Sequence, residues 1–152
     1  MFDHGNLLIF GLGGWALICT GLAHFAGWRS LAREYRATAP FQGRRFHFCS
    51  AQFGAWVGYN GSFTPGADHS GLFVAVWPIF RIGHPSLLVP WSEIHASVEK
   101  RRWVTVVLLR FAKLPSARVR ITFRLAERLA AESAGFFRVP DVLLKSTHPK
   151  SP

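Results

Sequence analysis

His47 and Cys49 stand two residues apart in Arg45-Phe46-His47-Phe48-Cys49. On a strand, that spacing puts an imidazole and a thiol on one face, two of the four ligands a zinc ion takes. His69, His84 and His95 follow, but no second pair at comparable spacing completes a set. A histidine on a polar strand face accounts for His47 without a metal, so neither metal nor cofactor is expected. The chain has no G-x-S-x-G, H-E-x-x-H or P-loop, and no G-x-G-x-x-G opening a helix after a strand. Gly11, Gly13 and Gly14 lie inside an apolar run and cannot cradle phosphate. The acids are thinly spread, with no pair at a spacing suited to acid/base work. His84, in Gly83-His84-Pro85, is expected to shape a turn, and Glu93 to hold a nearby base or cap one. No enzyme is expected.

Arginine is the chemistry this chain supplies in number. All 18 Lys and Arg lie from Arg29 onward, against seven of the eight acids, a net +11. Such a part suits an anionic partner, a membrane surface or nucleic acid. Two arginine sets are candidate lipid- or anion-binding residues. Arg29, Arg33 and Arg36 recur at i, i+4 and i+7 and share one helical face. In the second set, pairing Phe111 with Ala117 would put Arg110 opposite Arg118, on the face that also carries Arg120 and Arg124. Opposed like charges are mildly destabilising, and a bound anion relieves that cost. A solvated edge that resists aggregation is the plainer account of the same residues.

The elements that position these groups follow from the patterning. Residues 4 to 28 carry no Lys, Arg, Asp or Glu. Leu7–Trp28 would reach about 33 Å as a helix, enough for a hydrocarbon core of about 30 Å. A signal peptide fits less well, because Met1–Asn6 holds no Lys or Arg and the apolar run is longer than a usual signal core. Basic residues flank only the C-terminal side, which predicts the N-terminus outside and the rest in the cytoplasm. Within the span, Cys19, Ala23 and Gly27 recur every four residues, a small-residue stripe on which two helices could self-associate. The two cysteines are not expected to form a disulfide.

Beyond Ala39-Pro40 the period becomes two. Asn60-Gly61 signals a hairpin, and Pro65-Gly66 and Asp68-His69-Ser70-Gly71 signal turns. Gly71–Val98 reads as two apolar strands, Leu72–Phe80 and Leu87–Trp91, around Gly83-His84-Pro85. Strands Arg102–Phe111 and Ala117–Arg124 form a second hairpin, and Leu125–Ala134 an amphipathic helix stopped by Gly135. The expected organisation is an anchor (1–28), a basic juxtamembrane helix and linker (29–42), a β domain (43–135) and a loosely held tail (136–152).

This order of elements, with Val89-Pro90-Trp91 and Ile94 at a strand end, resembles pleckstrin-homology-like domains of the GRAM and bacterial PH types. Gly27-Trp28-Arg29-Ser30-Leu31-Ala32-Arg33-Glu34-Tyr35, followed by an R-x-G-H-P-x-L-x-x-P-W-x-E-I pattern from Arg81 to Ile94, also resembles single-pass bacterial membrane proteins. The resemblance implies a mainly β chain with one N-terminal transmembrane helix, and a small PH-like barrel or sandwich closed by the C-terminal helix. It implies no activity, because that fold hosts lipid binding, peptide binding and scaffolding alike. The expected role is a non-enzymatic binding or scaffold module of the bacterial inner membrane, contacting anionic headgroups. The alternative is a structural subunit bound to a protein partner or a second copy. The anchor argues against nucleic acid.

Overall fold

The computed structural model describes residues 4–140. It is mainly β: one curled antiparallel sheet forms a half-barrel, with an apolar helix before it and a short helix after it. Helix α1 (His4–Phe25) ends at Gly27, whose φ of 73° is left-handed, and α2 (Trp28–Tyr35) departs from there. Strands β1 (Arg44–Arg45), β2 (Cys49–Phe53), β3 (Val57–Ala67), β4 (Gly71–Val76) and β5 (Leu87–Pro90) follow. Then come β6 (Ile94–Arg101), β7 (Val104–Phe111), β8 (Leu114–Thr122) and α3 (Phe123–Glu132). The order across the sheet is β5-β4-β3-β2-β8-β7-β6, with β1 added beside β3. The first long strand therefore pairs with the last, Ala51 facing Ile121 and Phe53 facing Val119.

Alternation decides the inner face. Phe53, Phe63, Leu72, Val74, Leu87, Val89, Leu109, Phe111, Val119 and Ile121 are buried there. Leu129 of α3 and Leu31 of α2 complete the lining. The cavity they enclose is about 10 Å³, room for one water at most. The half-barrel interior is packed, with no room for a ligand among these residues. Thr122 caps α3, its hydroxyl accepting the Leu125 N–H at 3.3 Å.

Several expectations are corrected. The domain does not begin at residue 43. Trp28, Leu31 and Tyr35 of α2 are all buried in the core, so the segment expected to be juxtamembrane is part of the fold. The apolar helix stops at Phe25, and Trp28 faces the β domain rather than lipid. Asn60-Gly61 and Pro65-Gly66 are not turns but lie inside the 11-residue β3. Gly61, at φ 68°, marks an irregularity where Cys49 pairs with Phe63 and Ala51 with Tyr59. A bulge uses the same positive φ that a hairpin would. Alternation fails at Phe48, which has φ 58° and an exposed ring. Strand β4 ends at Val76, and Pro78–Phe80 forms a 3-10 turn. Arg124 lies in α3, not on the strand. Phe137, expected in the loose tail, is buried and stacks on Trp91 with ring centroids 5.1 Å apart. The rest of that tail, 141–152, lies outside the described residues.

Other expectations hold. Asp68-His69-Ser70-Gly71 is the β3–β4 turn, where the Asp68 carboxylate accepts N–H bonds from Ser70 and Gly71. Burial alone would raise that carboxyl, but these bonds and the Ser70 hydroxyl hold it below its ordinary range. Arg110 pairs with Arg118 across β7 and β8 as expected, but Phe111 pairs with Leu114 rather than Ala117, because the register shifts between Arg110 and Phe111.

Candidate functional site: an arginine-lined recess beside the apolar helix

Helix α2 has two faces. Trp28, Leu31 and Tyr35 point into the core, which leaves Arg29 and Arg33 exposed on the other side; Arg36, expected on the same helical face, is exposed in extended backbone just after the helix. The β4–β5 connection brings Arg81, Gly83 and Pro85 against that exposed side. Together these residues line an open recess of about 750 Å³ with four guanidinium groups and no carboxylate. None of the four makes an ion pair among the described residues. Arg81 also borders a second recess of about 500 Å³, where Arg45 and His47 rim a floor of Phe73, Ala75, Trp77 and Ile79.

The connection that carries Arg81 is stapled from several directions. The Trp28 indole donates to the Pro85 carbonyl at 2.9 Å. Ala37 N–H donates to the Ser86 carbonyl, and Arg36 bridges to Leu87, so the end of α2 is sewn to the β5 edge. Within the loop, His84 is buried, with Nε2 2.7 Å from the Tyr59 hydroxyl and Nδ1 3.2 Å from the Ile82 carbonyl. The Ile82 carbonyl can only accept, so Nδ1 carries the proton and Nε2 accepts from Tyr59. Burial lowers the His84 pKa and raises that of Tyr59. This pair faces packed core and serves the fold, as the turn role expected for His84 requires.

A pH dependence follows. The unfolded chain takes up a proton at His84 near pH 6.5, the folded chain only at lower pH. The stability that neutral His84 confers is therefore complete above about pH 6.5 and falls as pH drops toward the folded value. Thermal unfolding between pH 7 and 5 is expected to show a falling midpoint, with the slope reduced in His84→Gln.

The second arginine set does not act as a unit. Arg110 and Arg118 are exposed neighbours. Arg120 is not free: Nε donates to Glu99 Oε2 at 2.9 Å and a terminal nitrogen to the Gly54 carbonyl at 2.8 Å. That bond to Arg120 holds the Glu99 carboxyl below its ordinary range. Arg120→Ala is expected to cost about 1–2 kcal/mol of folding stability, chiefly through lost charge-assisted hydrogen bonds. It should leave anion affinity unchanged, which isotherms on variant and parent compare directly.

The remaining candidates separate. His47 is exposed, and Cys49 Sγ lies 3.6 Å from the carbonyls of Phe46 and His47. No group of three His, Cys, Asp or Glu side chains among the described residues could hold a metal ion. Glu93 pairs with Lys113 at 3.3 Å. Cys19 and Ala23 are fully buried by the chain's own fold, and a Cβ on Gly83 would stand 3.3 Å from the Thr20 Cα. Part of the small-residue stripe thus receives the chain's own loop, and Gly27 follows the end of α1. Sequence reasoning missed Arg81, although it opens the Arg81-Ile82-Gly83-His84-Pro85 pattern.

Fold and recess together define a small half-barrel with an apolar helix packed beside a cationic cup. Leu8–Phe25 is long and apolar enough to cross a membrane. No family model, curated protein or solved structure matches the chain.

Proposed function

We propose that this protein is a membrane-anchored, non-enzymatic binding module of the PH-like kind. Its cationic cup takes the phosphate of an anionic headgroup, and α1 holds it in the bacterial inner membrane with the β domain on the cytoplasmic side. The observation that carries this reading is the convergence of Arg29, Arg33, Arg36 and Arg81 on one recess without a carboxylate. Guanidinium groups bind phosphate oxygens in pairs, and four of them left without protein partners repel one another until an anion arrives. The strand order, first strand beside last with a helix after it, supports the PH-like assignment. Basic residues on only one side of α1 support the orientation.

The test uses the full chain in neutral micelles, because α2 belongs to the core. Short-chain phosphatidylglycerol is expected to raise the unfolding midpoint, more at low salt than at high, while short-chain phosphatidylcholine leaves it unchanged. Inorganic phosphate in a parallel arm separates headgroup recognition from phosphate binding alone. Each arginine contributes about 1 kcal/mol, roughly fivefold in affinity, so Arg33→Glu with Arg81→Glu should abolish the shift. An equal shift with both lipids, or one that survives the double variant, overturns the reading.

A second reading rests on a different observation. Trp56 and Trp103 are 94% and 93% exposed at two hairpin turns. Free indoles of this kind are enriched at protein interfaces, and they favour a structural subunit in a membrane complex. Stoichiometric co-purification of one partner, lost in Trp56→Ala with Trp103→Ala, would support it.

A further inference from the structure

The apolar helix is not free along its whole length. From Trp15 onward it lies against the β domain: the Trp15 indole donates to the Ile79 carbonyl at 3.0 Å and packs on Phe80. Cys19 and Ala23 are fully buried, and Gly83 sits against Thr20. Residues 4–14, the part clear of the domain, span about 16 Å as a helix. A hydrocarbon core is about 30 Å thick. If α1 crosses a bilayer, whatever is packed on its second half enters the bilayer with it.

What is packed there suits lipid. Ile79 is 56% exposed, Ile82 48% and Trp77 41%, and the exposed Phe48 ring meets Trp77 edge-on at 5.4 Å. On α1, Leu17, Ile18, Leu22 and Phe25 are exposed as well. A backbone that enters hydrocarbon must satisfy its own polar groups. Most of the N–H groups here are satisfied: Trp77 bonds to Ser62, Phe80 to Trp77, Arg81 to Pro78 and His84 to Arg81, Pro78 has none, and within 77–82 only Ile79 and Ile82 make no such bond. The carbonyls of Ile79, Ile82 and Pro85 take bonds from Trp15, His84 and Trp28. Arg81 interrupts the apolar surface, and its long stem lets the guanidinium reach the cup at headgroup level.

We infer that residues 77–82, with Phe48, form a second membrane-embedded element, a wedge immersed among acyl chains of the same leaflet as the C-terminal half of α1. The inference rests on the membrane reading of α1 but not on headgroup recognition. Its occupant is hydrocarbon, whatever headgroup lies above.

The test places the full chain in vesicles of neutral phosphatidylcholine that carry doxyl groups at defined depths. Cys19 and Cys49 are replaced by Ala and Ser, and a bimane label is attached through Ile79→Cys, Leu12→Cys or Trp103→Cys in turn. Ile79 and Trp103 are exposed positions, so their labels should not disturb packing. The expected result is strong quenching at positions 12 and 79 by groups within the acyl chain, and little at 103. Quenching at 12 but not at 79 overturns the wedge and leaves the anchor standing. Quenching at neither overturns both. Because the vesicles are neutral, an anionic-headgroup reading that fails elsewhere leaves this result intact.

Discussion

Trp28→Ala is expected to lower the unfolding free energy by about 3–5 kcal/mol, the range for deleting a fully buried large aromatic. Trp28 is completely buried, between Phe53 at 5.1 Å, Tyr59 at 5.8 Å and His84 at 5.1 Å, measured between ring centroids. Deletion would also remove the hydrogen bond to the Pro85 carbonyl. Domains of this size are stable by about 5–15 kcal/mol, so the loss takes a large share of the total. Chemical unfolding of the full chain in micelles measures it, with Trp103→Ala, a fully solvated indole, expected within about 0.5 kcal/mol of the parent. Trp28→Phe keeps an aromatic ring but loses the N–H and part of the indole's volume, so it should fall between the two. A small effect of Trp28→Ala would mean that α2 is not part of the core. The consequence for binding is direct: Trp28 holds both the α2 arginines and the loop bearing Arg81, so the cup should lose affinity together with stability.

The second large effect is expected at Gly83. Its φ is 78°, where a β-branched residue is strongly disfavoured. A Cβ there would stand 3.3 Å from the Thr20 Cα and 3.6 Å from the Ala23 Cβ. Gly83→Val combines the conformational cost with a clash against α1, about 2–3 kcal/mol together. The loop or the helix must move. Cys19 reports whether they part, because it is fully buried and free. In a Cys49→Ser background, alkylation of Cys19 by a membrane-permeant reagent should be negligible in the parent and faster in Gly83→Val. A thiol that stays protected in the variant would show that α1 and the loop tolerate the added methyls without parting.

The sequence could be read well where one pattern had one physical cause. Val119, Ile121 and their polar neighbours alternate because β8 has one wet face; the register did not follow from that, since the shift beside Phe111 leaves no mark in the alternation. The apolar run before Arg29 was legible by length alone. Asn60-Gly61 misled because positive φ serves a bulge as well as a hairpin, and pairing of β3 with both β2 and β4 selected the long strand. Helix α2 was half read. Its arginine stripe was visible, but Trp28, Leu31 and Tyr35 at i, i+3 and i+7 form an equally regular apolar stripe. The charges pointed to a headgroup role, and the apolar face to a tertiary one. Arg81 could not be found locally, because only the β4–β5 loop, closing on α2, brings it to the other three.

The placement of α2 in the core also sets an order of events in time. Leu31 and Leu129 line the same interior, yet nearly a hundred residues of synthesis separate them. At about 5–20 residues per second that interval is roughly 5–20 s. Throughout it, Trp28, Leu31 and Tyr35 have left the ribosome without the strands that will cover them. Within the chain, the apolar helix α1 directly before them is the nearest apolar surface. The first stretch of the domain to emerge thus waits for the last, and the half-barrel closes around a helix already synthesised.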